Sequence, residues 1–132
     1  MKHRLRADVT DAELAVLKIL WDRGPSTIRL LTDLLYPDGG TAQYATVQKL
    51  LERLEGKACV RRKSDGRVNV WSAAIGLDDL IGHRLRETAE KLCEGSVTPL
   101  LTHLASTSEL SARDLDALRE LIRRLDDETG PG

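Results

Sequence analysis

Thr41 to Ala73 reads TAQYATVQKLLERLEGKACVRRKSDGRVNVWSA, and no other stretch so narrows the folds open to the chain. Val47, Leu50, Leu51 and Leu54 recur within it at the spacing of one helical face. Tyr44, Thr46, Gln48, Lys49, Glu52 and Arg53 fall on the other side. Two β-prone runs follow at once, Cys59–Lys63 and Val68–Trp71. Ser64–Arg67 separates them, and its Asp-Gly step is a strong hairpin signal. The pattern predicts a helix over about Ala42–Gly56 and then a basic hairpin. The hairpin's phase is open, because Asn69 and Trp71 point one way and Val68 and Val70 the other. Trp71 is expected to pack beneath it as core.

Upstream, Thr10 and Glu13 make a T-x-x-E capping box, with Val9 and Leu14 placed as a hydrophobic staple. Leu14, Leu17, Leu20 and Trp21 then face a core. Gly24-Pro25 ends this helix, the glycine accepting the left-handed position beyond it. Ser26 is expected to cap a second helix reaching about Leu35, with Ile28, Leu31, Leu34 and Leu35 inward. Tyr36–Gly40 is a turn by composition, longer than the tightest helix-turn-helix connection. This order of elements predicts a winged helix-turn-helix. A helix end suits the major groove of a duplex, and a hairpin with Arg and Lys suits the phosphates beside it.

Beyond Gly76 the pattern is helical throughout. Leu77, Ile81, Leu85, Thr88/Ala89 and Leu92 form one stripe, which Gly95-Ser96 interrupts. Val97, Leu100, Leu101 and Leu104 mark a short helix with Pro99 in its first turn. Ser111 and Asp114 cap a last helix, stapled by Leu110 and Leu115 and striped by Leu115, Leu118, Leu121/Ile122 and Leu125. Residues 126–132 are expected to fray. Helices so thin bury too little apolar surface alone, and pairing with a second copy is expected over folding back on the first domain. The chain is thus read as mainly α with a small β-hairpin wing. A winged helix-turn-helix domain is expected at 7–74 and a C-terminal helical dimerisation domain at 75–128. Dimer contacts are assigned to Leu77, Ile81, Leu85, Leu92, Leu100, Leu101, Leu104, Leu115, Leu118 and Ile122.

Charged residues make up 31% and hydrophobic ones 41%, the balance of a folded soluble protein. No segment approaches the ~20 apolar residues of a membrane helix, and the basic residues near Met1 lack the apolar run of a secretion leader. A cytoplasmic location is expected. The net charge of −1 is unevenly spread. Lys49, Arg53, Lys57, Arg61, Arg62, Lys63 and Arg67 outweigh Glu52, Glu55 and Asp65 in the helix and hairpin, whereas acidic residues predominate after Leu77. Glu52 is expected to pair with a neighbouring cation on its helix. Cys59 and Cys93 are isolated and expected to be buried, and His3, His83 and His103 are scattered, so no zinc site or other metal or cofactor is expected.

The ordered set of TDAELAVLKILW at Thr10–Trp21, YATVQKLLERLEGK at Tyr44–Lys57, the hairpin and the spacing to the C-terminal helices resembles the BlaI/MecI/CopY family of bacterial winged-helix repressors. These are also called penicillinase repressors. The likeness runs from about Val9 to Leu125. It implies a homodimer on a palindromic DNA operator that blocks transcription, responding to copper or, through a membrane sensor protease of the BlaR/MecR type, to antibiotics. It implies DNA reading by Tyr44, Ala45, Thr46, Gln48, Lys49 and Arg53, and wing contacts by Arg61, Arg62, Lys63 and Arg67. Some positions depart from the pattern. The copper-responsive branch carries a C-terminal cysteine motif, and none follows Cys93. Some members are cleaved at an Asn-Phe step, but this chain has no Phe and reads Thr102-His103-Leu104 there. Ala58 stands where Gly is usual, and Asn69 where an aromatic is common.

Two other readings compete with DNA binding. A winged-helix module can present its third helix to a protein instead. An enzyme is disfavoured, since no nucleophile–base pairing, phosphate-binding glycine loop or metal-ligand spacing occurs. Asp78-Asp79 and Asp126-Asp127-Glu128 read as helix-start and tail charges.

Overall fold

A computed structural model describes residues 8–106 and 110–129. The elements are α1 (Asp11–Arg23), α2 (Ile28–Leu35), α3 (Thr41–Gly56), β1 (Val60–Asp65), β2 (Val68–Ala73), α4 (Leu77–Leu92), α5 (Thr98–Ser106) and α6 (Ala112–Thr129). They divide into two compact units that meet within α4, between Leu85 and Arg86. His3 and residues 130–132 of the tail expected to fray lie outside the described residues.

The capping box opens α1 as expected. The Thr10 N–H donates to Glu13 Oε1 at 2.9 Å and the Glu13 N–H donates to Thr10 Oγ1 at 3.2 Å. Val16, Leu17 and Leu20 are buried, while Leu14 and Trp21 are partly buried against the same core. Gly24 has φ 88° but ψ −163°, so the chain leaves α1 extended rather than in the left-handed helical conformation. That extension changes the role expected of Ser26. Its backbone pairs with Trp71 on β2, with N–H to O distances of 2.9 and 2.8 Å, and its hydroxyl donates to the Gly24 carbonyl. Thr27 therefore caps α2, its Oγ1 accepting the Leu30 N–H at 3.1 Å. In α2 it is Leu31 and Thr32 that are buried; Leu34, expected inward, is 38% exposed. Thr32 tolerates burial because its hydroxyl donates to the Ile28 carbonyl.

Val47, Leu50, Leu51 and Leu54 of α3 are all buried, as their spacing predicts. They pack with Cys59, Val60, Trp71 and Ile75 into one core. The strands are antiparallel, with Val60 opposite Ala73 and Asp65 opposite Val68. Gly66-Arg67 is the two-residue loop, and Gly66 supplies the positive φ, 72°, that its first position needs. The hairpin's phase is settled by burial: Trp71 is 1% exposed and Val68 53%. Cys59 is fully buried, which pushes its thiol pKa up. Cys93, expected to be buried, is half-buried.

Ala58 turns the chain from α3 into β1 with φ 63°. A side chain there costs roughly 1–2 kcal/mol, part of which glycine would lose again to unfolded-state freedom. Ala58→Gly is therefore expected to stabilise the protein by about 0.5–1 kcal/mol. Urea denaturation checks this, and an unchanged or lowered midpoint would contradict it.

The start of α4 belongs to the first unit. Leu80 is buried there, the Trp21 indole N–H donates to the Ile75 carbonyl at 2.8 Å, and Arg84 donates to the Val9 carbonyl at 2.7 Å. In the second unit Ser111 and Asp114 exchange the expected capping bonds, both 3.1 Å. Helix α6 continues through Thr129, so Asp126–Thr129 are helical rather than frayed. Ion pairs Asp116–Arg119 and Glu120–Arg123 line its polar side. No helix among the described residues is long and apolar enough to cross a membrane.

Candidate nucleic-acid interface

The core fixes α3 by one face and leaves the other in solvent. Tyr44, Ala45, Thr46, Gln48, Lys49 and Arg53 are all exposed, Tyr44 by 40%. The Tyr36–Gly40 turn sets where this face begins. A Cβ on Gly39 would stand 2.8 Å from Cβ atoms of both Gln43 and Tyr36, so only glycine allows α2 and α3 to meet this closely. Gln43 Oε1 accepts the Gly40 N–H at 2.8 Å and ties down the first turn. Thr46 donates its hydroxyl to the Ala42 carbonyl at 3.0 Å, and the oxygen keeps its lone pairs to accept.

The hairpin adds Arg61, Arg62, Lys63 and Arg67, all exposed. Among the described residues Lys49, Arg53, Arg61, Lys63 and Arg67 form no ion pair, so five cations remain available to an anionic ligand. Arg62 differs. Its Nε lies 3.2 Å from Glu55 and its guanidinium 5.4 Å from the centre of the Trp71 ring. The expected pairing of Glu52 is thus replaced by one of Glu55. Strand register explains it, because Arg62 sits directly opposite Trp71 and shares its face.

Arg29 and Thr41 are not among the residues assigned from sequence. Both line a hollow of about 400 Å³ beside Tyr44, with Thr32, Asp33, Gly39 and Gly40. Among the described residues no group of His, Cys, Asp or Glu is arranged to hold a metal ion.

The residues assigned to pairing are divided between the two units, and nearly all are exposed. Leu77, Ile81, Leu85 and Leu92 of α4 are exposed by 46–78%, with the extremes at Ile81 and Leu92. Leu101, Leu104, Leu115, Leu118 and Ile122 are likewise exposed and Leu100 is half-buried. Between α5 and α6 lies an apolar trough of about 790 Å³, lined by Leu101, Leu104, Leu118, Leu121, Ile122 and Leu125 among others.

Comparison with known proteins gives a consistent result. A family model described as penicillinase repressor matches residues 9–124. A Mycobacterium tuberculosis protein named transcriptional regulator BlaI is 31% identical over 118 residues, covering 88% of this chain and 83% of its own. The penicillinase repressor of Bacillus licheniformis is 24% identical over 115 residues, covering 86% and 88%. Among solved structures, monomeric Bacillus licheniformis BlaI bound to the blaP half-operator is 28% identical. It covers 60% of this chain and 93% of that one, with a TM-score of 0.48.

Proposed function

From the premise that this chain belongs to the penicillinase repressor family, we propose that it is a sequence-specific DNA-binding repressor of transcription that acts as a homodimer. The observation that carries this reading is the outer face of α3. Its polar side chains stand free of the core beside a hairpin whose Arg61, Lys63 and Arg67 form no ion pair among the described residues. Gln48 is suited to an adenine edge, Lys49 and Arg53 to guanine or phosphate, and Thr46 to a thymine methyl. Arg61, Lys63 and Arg67 supply contacts that position without reading sequence. One such helix offers little contact. Two copies joined through the apolar helices would set two helices about 34–36 Å apart, or a multiple of this, and so read an inverted repeat. The exposed leucines of α4, α5 and α6 support this pairing, since a lone chain would leave that apolar surface in water.

Selection from random DNA followed by mobility-shift titration tests the reading. An inverted repeat is expected, and recovery of no preferred sequence at low salt would refute it. Gln48→Ala is expected to change the preferred base at one position per half-site, with a loss of roughly 1–3 kcal/mol on the original base. Lys63→Ala is expected to weaken all duplexes alike and to reduce the slope of log affinity against log salt by about 0.9. The same motif and the same slope from these variants would remove Gln48 and Lys63 from the interface.

A further inference from the structure

Arg62 carries the same charge as Arg61 and Lys63 but faces the other way. Side chains alternate across a strand, so Arg61 and Lys63 share one side of β1 and Arg62 the other. Directly opposite Arg62 is Trp71, which is 1% exposed. The Trp71 backbone is paired in turn with Ser26, between α1 and α2. The guanidinium over the Trp71 ring also reaches Glu55 on the last turns of α3. One cation therefore touches both the hairpin's core anchor and the helix whose other end faces the ligand.

We propose that Arg62 is a positioning residue, which sets the angle of the β1–β2 hairpin against α3 through Glu55 and Trp71 and makes no phosphate contact of its own. The inference rests on the DNA-binding reading and adds a division of labour within the basic hairpin. Arg61, Lys63 and Arg67 supply charge, and Arg62 supplies geometry. A planar cation suits this place, because it can lie over the indole while its charge stays 3.2 Å from the Glu55 carboxylate. Lysine can do neither in the same way.

The sign of the Glu55 effect separates this from an ordinary phosphate contact. If Arg62 gripped DNA, removing the Glu55 carboxylate would free the cation, reduce repulsion and tighten binding. If Arg62 positions the hairpin, removing Glu55 loosens it and weakens binding. The test uses the full chain and a duplex that the wild-type chain itself recovers from random-sequence DNA, titrated over several salt concentrations. Thermal melts confirm that each variant is folded at the assay temperature. Arg62→Ala, Arg62→Lys and Glu55→Ala are each expected to weaken binding about fivefold, with the wild-type salt slope retained. The exchange Glu55→Arg with Arg62→Glu is expected to recover part of the loss. A salt slope lowered by about 0.9 in Arg62→Ala, or tighter binding by Glu55→Ala, overturns the proposal and leaves the DNA-binding reading intact. If the wild-type chain recovers no duplex at all, both fall together.

Discussion

Replacing Leu118 and Ile122 together by aspartate is expected to give a folded monomer and to lower affinity for an inverted-repeat duplex by about 10²–10⁴-fold. Both residues lie on α6, 36% and 50% exposed, on the wall of the trough shared with α5. Exposed positions accept a carboxylate in a lone chain with little strain. Within a pair of subunits the same carboxylates would lose their water without gaining a partner, which is costly enough to prevent association. The affinity loss follows from linkage. In a dimer the second half-site is bound at the high effective concentration set by the first, and a monomer forfeits that gain. A duplex holding one half-site should bind wild type and variant almost equally, because α3 and the hairpin are untouched. Sedimentation gives the oligomeric state, and titration of one-site and two-site duplexes gives the linkage. A variant that stays dimeric, or a wild type that sediments as a monomer while binding the inverted repeat tightly, would refute the pairing through this trough.

The parts of the molecule that were legible from sequence are those fixed by neighbours along the chain. The four apolar positions of α3 could be assigned from their period, and the capping pairs Thr10–Glu13 and Ser111–Asp114 from their spacing. What escaped was set by contacts made across the fold. Ser26 and Thr27 are both good capping residues, and only the backbone pairing with Trp71 decides between them. Leu80 sits off the stripe of Leu77, Ile81 and Leu85, yet it is the residue that α4 buries in the first unit, because α4 is apolar on more than one side. At the candidate interface, the outer face of α3 is the complement of its core face and so was visible from the same period. The different position of Arg62 depends on strand register and on Glu55, neither of which a run of basic residues discloses. Glu13 is the clearest case. Its capping role was plain, but its complete burial depends on a lysine 44 residues away.

That lysine supports the second large effect. Glu13 is 0% exposed and accepts from the Thr10 N–H at 2.9 Å and from Lys57 Nζ at 2.5 Å, while Lys57 also donates to the Asp8 carbonyl. Burial by itself raises the Glu13 pKa, but the hydrogen bonds from Lys57 and Thr10 and the lysine charge outweigh it and hold the carboxyl below its ordinary value of 4.5. A depressed carboxylate stabilises the fold at pH values above its unfolded pKa. That contribution is lost as pH falls through the folded value, so wild-type stability should decline below about pH 4.5. Lys57→Met keeps the aliphatic packing and removes the cation, leaving a buried carboxylate with only the Thr10 N–H. Breaking a buried pair in this way costs about 3–5 kcal/mol, and the lower end is expected because the lysine side chain is 20% exposed to water. In the variant the carboxyl pKa rises, so it takes up a proton on folding as pH is lowered, and its deficit against wild type should shrink from pH 7 to pH 4. The double variant Glu13→Gln, Lys57→Met removes the stranded charge and should recover much of the loss at pH 7. Urea unfolding of the three proteins at both pH values measures these differences. A deficit under about 1 kcal/mol, or one of equal size at pH 7 and pH 4, would mean that solvent rather than Lys57 neutralises Glu13.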